Sequence, residues 1–231
     1  MRSFLVSLIM ASIATMGAAN EADFEDRVRQ FILENPEIIL EALTILSERE
    51  ERAAMTARIA EFPELFDEPA VFGIGPVNAD LRVIEFFDYK CLPCKAIHPA
   101  LVAFVEETPG VRIEMRHLPI LTPGSERAAR FALAVRSVAG EDAHNRVHDQ
   151  LWEVKGPLNT NAFAKIAEAE GLDMAAIEVA MDSDAITDRI TYNRDAAISL
   201  EILGTPAFVT PDSVTFGQAD VGALADLWLN R

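Results

Sequence analysis

The chain has two cysteines in 231 residues, Cys91 and Cys94, and they stand three positions apart. Random placement of two cysteines would give that spacing in about one case in a hundred, so the pair calls for a chemical reason. The run before it, Val83-Ile84-Glu85-Phe86-Phe87, is apolar, β-branched and aromatic, and reads as a buried strand. The run after it carries Ile97, Leu101, Phe104 and Val105 at helical spacing. A strand therefore hands over to a helix at the cysteines. At a helix start, unpaired N–H groups and the helix dipole favour a thiolate at Cys91. A thiolate attacks disulfides, and a second thiol three residues on can resolve the mixed disulfide.

Two other uses of such a pair compete with this one. A structural disulfide closing so short a loop would restrict the unfolded chain least. A metal site needs more ligands, and neither a second CxxC nor a His-x3–5-His follows at the usual distance. His144 and His148 stand four apart on a predicted helix, and with no cysteines nearby they read as surface residues.

Cys91-Leu92-Pro93-Cys94-Lys95-Ala96-Ile97-His98-Pro99 resembles the active-site segment of thioredoxin-fold proteins, including the proline five residues after the second cysteine. Glu85, six residues before Cys91, is similar to the acid that such proteins bury beneath the second cysteine. Gly204-Thr205-Pro206-Ala207-Phe208 resembles their cis-proline loop and the strand behind it. About 110 residues, mostly of helical pattern, separate the two signatures, which makes the chain more similar to the DsbA-like thiol:disulfide oxidoreductases than to plain thioredoxin. The resemblance implies an α/β chain: a thioredoxin-like fold with an inserted helical domain and an N-terminal helical extension. It implies a catalytic set of Cys91, Cys94 and Glu85, with Thr205 and Pro206 binding substrate as an extended edge. No metal and no cofactor are expected, since the thiols carry the electrons.

Residues 1–19 read as a secretory signal peptide: Arg2, an apolar run from Phe4 to Met16, then Gly17-Ala18-Ala19. That run is shorter than a membrane span requires. The mature chain is then expected in the periplasm, with no membrane span, where oxidising conditions suit a dithiol enzyme. Residues 20–61 form a helical segment. Phe24, Val28, Phe31 and Ile32 make one stripe, Asn35-Pro36 restarts the helix, and Ile38, Ile39, Ala42, Leu43 and Leu46 make a second. This face buries either on its own subunit or on a copy, giving a trimer or dimer. In the ScsC subgroup such an extension mediates trimerisation, and this segment looks like it.

Residues 62–121 are expected to form the first part of the thioredoxin domain. They hold a linker with an edge strand near Ala70-Val71-Phe72, the strand 81–87, the helix Lys95 to Glu107, and a strand over Val111 to Arg116. Strand, helix and strand fit a parallel βαβ crossover. Residues 122–200 form the inserted helical domain. Its helices run from Ser125 (read as the cap) to Val138, from about Asp142 to Val154, from Asn161 to Glu170, from Asp173 to Met181, and from Asp184 to Leu203. Residues 201–231 complete the thioredoxin domain. They carry a hairpin around Pro211-Asp212-Ser213 and a last helix, Val221 to Asn230, with Leu224, Leu227 and Trp228 inward.

The acidic balance, net charge −17, argues against nucleic acid or anionic membrane as partner. The pair between the cysteines is Leu92-Pro93, with no histidine to stabilise the thiolate, so a more reducing couple than DsbA is expected. Three functions stay open. One is an exported isomerase or reductase of protein disulfides, kept reduced by a membrane redox partner. The second is a DsbA-type dithiol oxidase acting on exported proteins. The third is an oligomeric chaperone-like binding protein.

Overall fold

The computed structural model describes residues 23–66, 72–217 and 220–229. The signal-peptide reading of 1–19 lies outside them, as do Ala70 and Val71 of the expected edge strand. The chain divides into two units, residues 1–51 and 52–231.

In the first unit, residues 23–34 are helical (α1), and α2 (Glu37–Ala60) begins after Asn35-Pro36. The break is local chemistry. Asn35 N bonds Phe31 O at 3.0 Å and its side-chain Nδ2 bonds the same carbonyl at 2.8 Å, closing α1. Pro36 fits a first turn, where its missing N–H costs nothing. Phe24, Phe31, Leu33, Leu40, Leu43 and Leu46 are all exposed.

The second unit holds the end of α2, a short 3-10 turn (Pro63–Leu65) and a five-stranded sheet in the order β1-β3-β2-β4-β5. The strands are β1 (Gly73–Ile74), β2 (Leu81–Phe87), β3 (Val111–His117), β4 (Ala207–Thr210) and β5 (Ser213–Phe216). The β2 and β3 strands pair in parallel and are joined by α3 (Leu92–Glu107), while every other pairing is antiparallel. The edge strand is two residues long and lies just beyond the expected Ala70–Phe72, because Gly73 and Ile74 are the residues that reach Glu114 and Ile113.

Between β3 and β4 run five helices: α4 (Pro123–Ala139), α5 (Glu141–Glu153), α6 (Thr160–Ala169), α7 (Met174–Met181) and α8 (Asp184–Ser199). The cap of α4 is Thr122 rather than Ser125. Thr122 Oγ1 accepts from Ser125 N at 3.1 Å, and Ser125 Oγ accepts from Thr122 N at 3.2 Å, a reciprocal capping box with Pro123 in the first turn. Helix α8 stops at Ser199, four residues before Leu203, where Glu201 turns to a positive φ of 58°. The last helix is α9 (Val221–Leu229). Leu224 and Trp228 are buried on it, but Leu227 is about half exposed, since so short a helix aims only one stripe at the sheet.

Three cores result. Val83, Ile113 and Phe208 face α3 and α9 through Ile97, Leu101, Leu224 and Trp228. On the other side of the sheet Ile84, Phe86 and Val209 meet α8 and the end of α2 through Ala196, Leu200 and Ile59. The third core fills the inserted helices and reaches Phe87, Tyr89, Cys91 and Cys94. The insertion thus packs directly on the end of β2 from which the cysteines leave.

Candidate active site

Cys91 is the N-cap residue of α3, and its Sγ accepts from Cys94 N at 3.2 Å. A sulfur in that place meets a helix N–H left unpaired by the helix itself, which favours negative charge on it. The loop is shaped by Asp88. Its carbonyl accepts from Cys91 N at 2.9 Å and its Oδ1 from Lys90 N at 2.8 Å. Its Oδ2 takes the N–H groups of Ile120 and Leu121, each at 3.0 Å, which ties the loop after β3 to the cysteine loop. Asp88 was not singled out in the sequence; an Asp followed by a tight turn was its available signal.

Across from α3, the Thr205–Pro206 peptide is cis, and Thr205 O accepts from Cys91 Sγ at 3.1 Å. The Gly204–Phe208 signature and the dithiol, over a hundred residues apart in sequence, are brought together because β4 pairs with β2 (Glu85 opposite Phe208, Phe86 opposite Ala207). Gly204, Thr205 and Pro206 also line a cavity of about 360 Å³ with Leu203 and Phe216.

Five influences decide the acidity of Cys91. A hydrogen bond from the Cys94 thiol lowers it most, burial opposes this, and the Thr205 side chain and Cys94 N–H lower it further. The Asp88 carboxylate pushes the other way. The net result is a thiol pulled below its usual range, to about 6. Cys94 is fully buried and moves in the opposite direction, first by desolvation and then by the hydrogen bond it gives to Cys91. The two sulfurs are therefore unequal: one held as an anion near neutral pH, the other kept protonated.

Glu85 lies on β2 with no exposed surface, and neither carboxylate oxygen has a hydrogen-bond partner. Burial, and then the Cys91 charge, raise it to about 8. A buried carboxyl with a pKa of about 8 is mostly protonated at neutral pH, and its ionised fraction is a base strong enough to take the proton of a nearby thiol. Lys95 and His98 follow on α3, and burial lowers both.

His144 and His148 are buried, not on the surface, and burial holds both below the ordinary imidazole range. Phe72, from the edge of the sheet, covers them edge-on at 4.5 and 4.3 Å between ring centres. Spacing on a helix shows which side chains share a face; here that face is the one turned inward.

The inserted and sheet regions together, residues 82–228, match the family described as "DSBA-like thioredoxin domain", and residues 20–53 match the "Copper resistance protein ScsC N-terminal domain". The chain is 25% identical to the thiol:disulfide interchange protein DsbA of Bordetella pertussis over 55% of its length. A solved thioredoxin-like oxidoreductase from Silicibacter pomeroyi is 32% identical, with a TM-score of 0.65 over 71% of this chain and 93% of that one. Proteus mirabilis ScsC in a transitional conformation is 26% identical, with a TM-score of 0.65 over 92% of this chain and 95% of that one. The chain spans 62% of the length of that DsbA and 23% of that of a sodium/proton antiporter from Salinispora tropica. With the family profile covering well over half of its length, and the dithiol at the head of α3, this chain belongs to the DSBA-like thioredoxin domain family.

Proposed function

We propose that the protein is an exported thiol-disulfide oxidoreductase that acts on protein disulfides through Cys91 and Cys94, working as an isomerase or reductase. The observation that carries the reading is the asymmetry of the two sulfurs at the start of α3. The Cys91 thiolate attacks a substrate disulfide, forms a mixed disulfide and releases one substrate thiolate. Mixed-disulfide formation removes the Cys91 charge that helps keep Glu85 protonated; Glu85 releases its proton to solvent, and the resulting carboxylate takes the proton of Cys94 as Cys94 attacks Cys91 Sγ. The second substrate sulfur leaves as thiolate, and the Cys91–Cys94 disulfide remains. The substrate gains two electrons and the dithiol loses them, so a membrane redox partner must return them. Isomerisation instead ends with Cys91 expelled by another substrate thiol and no net electron flow. Thr205 and Pro206 sit opposite Cys91, where an extended substrate backbone can lie against them.

The direction rests on thiolate stability. A Cys91 value of about 6 is much nearer the roughly 7 of thioredoxin than the roughly 3.5 of DsbA. A less stabilised thiolate makes the disulfide a weaker oxidant. The absence of histidine between the cysteines, where Leu92-Pro93 stands, points the same way. For the N-terminal unit, the exposed Phe24, Phe31, Leu33, Leu40, Leu43 and Leu46 support homo-oligomerisation through these helices. Export and a periplasmic location are supported by residues 1–19 and by the DsbA and ScsC relatives. No described helix is long and apolar enough to cross a membrane.

Equilibration of the purified dithiol in glutathione buffers tests the proposal. A potential near or below about −200 mV supports isomerase or reductase chemistry; a value near about −120 mV replaces it with the oxidase reading.

A further inference from the structure

All four histidines of the chain gather behind the cysteine loop. The centres of the His98 and His148 rings are 5.8 Å apart, those of His117 and His144 6.3 Å, and those of His144 and His148 6.4 Å. Tyr89, Phe87 and Trp152 pack among them. The active chemistry described above uses none of these side chains. Their hydrogen bonds have a definite direction, because one member can only donate.

That member is Trp152. Its indole N–H meets His148 Nε2, so Nε2 must carry a lone pair. A neutral His148 then has its proton on Nδ1, and Nδ1 lies 2.9 Å from Tyr89 Oη. Tyr89 accepts there, which frees its own O–H to donate to His117 Nε2 at 3.4 Å. His117, at the end of β3, is held in turn by Asn193 of α8, whose Nδ2 donates to its carbonyl at 3.0 Å. The order is Trp152 to His148 to Tyr89 to His117, and every tautomer follows from the first donor. The titratable groups facing His148 are Tyr89 from the loop, His98 from α3, His117 from β3 and His144 from its own helix. The three other imidazoles oppose a second proton on it, and burial opposes it more. A doubly protonated His148 would also leave Trp152 with no acceptor.

Tyr89 lies between Asp88, which receives Cys91 N, and Cys91 itself. We propose that the Trp152–His148–Tyr89 chain anchors the Asp88–Cys91 loop to the inserted helices and thereby sets how well Cys91 is held as a thiolate. His148 and Tyr89 are positioning residues in this scheme, since their hydrogen bonds go to each other, to Trp152 and to His117 rather than to the sulfurs. The inserted helices then do more than cover the site: helix α5 tunes it through two hydrogen bonds. The inference builds on the reading of Cys91 as the reactive thiol, but not on which direction electrons flow.

Four variants and one spectrum test it. In the reduced full chain, the Cys91 thiolate is titrated by its ultraviolet absorbance in wild type, His148→Phe, Tyr89→Phe and His148→Gln. Phe at either place breaks the chain, and the acid constant of the Cys91 thiol falls by about three- to tenfold, the worth of one buried hydrogen bond. The double variant His148→Phe with Tyr89→Phe falls no further than the singles, because both cut one chain. Gln at 148 offers an oxygen to Trp152 and an N–H to Tyr89, so it restores the wild-type titration. A Gln variant that behaves like the Phe variant, or a Phe variant that titrates like wild type, overturns the proposal. Should His148→Phe fail to fold, Tyr89→Phe, which removes one oxygen atom, carries the test alone. Nitrogen NMR of wild type is independent of any activity: His148 must show a protonated Nδ1 and a bare Nε2 at neutral pH, and the reverse tautomer ends the argument. A protein with that tautomer and an unreactive Cys91 would instead overturn the proposed function and leave the chain of hydrogen bonds standing.

Discussion

The central strands bury two glutamates one residue apart in register, and the protein treats them in opposite ways. Glu85 on β2 sits opposite Met115, and Glu114 on β3 sits opposite Ile84, so the two side chains leave opposite faces of the sheet. Both have no exposed surface. Glu114 is met by three guanidinium groups: Arg82 Nε at 2.8 Å and Nη2 at 3.1 Å, Arg112 Nε at 3.4 Å, and Arg116 Nη2 at 3.8 Å. Those arginines continue outward to backbone carbonyls. Arg82 reaches Phe66 O, Arg112 reaches Gly75 O at 2.6 Å, and Arg116 reaches Glu64 O at 3.0 Å. Glu114 is thus the hub that fastens the segment before β1 to the sheet. Glu85 has no such partners, and its acidity moves up instead. Burial alone does not decide whether a carboxylate is structural or chemical; the company it keeps does.

The largest effect should come from breaking the paired site. Glu114→Gln leaves buried guanidinium groups without their shared anion, and loss of one partner of a buried charge cluster costs about 3–5 kcal/mol. Denaturant unfolding should show that loss, while the thiolate titration of the folded fraction stays as in wild type. Unchanged stability would mean that the network contributes geometry and no net energy.

Glu85→Gln should do the reverse. It removes the group proposed to take the proton of Cys94, so resolution of the mixed disulfide slows by about a hundredfold, measured by the lifetime of the mixed species in rapid-quench assays. Stability should not fall. Wild-type speed in this variant would return Glu85 to a space-filling role and erase the contrast with Glu114.

The same contrast sharpens with pH. Glu85 titrates at about 8 in the folded protein against an ordinary value of 4.5. Between these values the native state holds a proton that the unfolded chain has released. Stability from this group is complete below about 4.5 and is lost as pH rises through 8, by up to about 1.4 kcal/mol per pH unit. Unfolding of the reduced protein at a series of pH values should show this decline, and Glu85→Gln should flatten it. A wild-type profile as flat as that of the variant would show that Glu85 is not held neutral.

How much of this the sequence disclosed depends on whether the determining contact was local. The strand into Cys91, the helix beyond Cys94 and the crossover to β3 follow from apolar spacing over adjacent residues, and the structure has them. Thr205-Pro206 was legible as a loop to be placed opposite the dithiol only through its resemblance to a known pattern. The alternation in Val111–Arg116 marked a strand, but such alternation ordinarily means one wet face. Here Arg112, Glu114 and Arg116 are buried, because the chain at 64–66 and Gly75 covers them through their own hydrogen bonds. His144 and His148 were misread for a related reason. A polar residue on a helix looks solvated until its partners are known, and theirs are Tyr89 and Trp152 for His148 and Phe72 for both. Leu227 failed the other way, since an apolar residue on a short helix need not lie on its buried stripe.

The smallest effect separates proximity from burial. Arg58 Nη1 and Glu201 Oε1 are 2.6 Å apart, shorter than the 2.8 Å from Arg82 Nε to Glu114. Yet the Glu201 side chain keeps 76% of its surface and that of Arg58 keeps 32%. Water already solvates these charges in the unfolded chain and continues to solvate them here, so the pair gains little by meeting. Arg58→Ala should therefore cost less than about 1 kcal/mol in denaturant unfolding, and moderate salt should remove most of that. A cost approaching that of Glu114→Gln would mean that the bond from Arg58 to Ser199 O, long at 3.4 Å, holds the end of α8 to α2 more firmly than its geometry suggests.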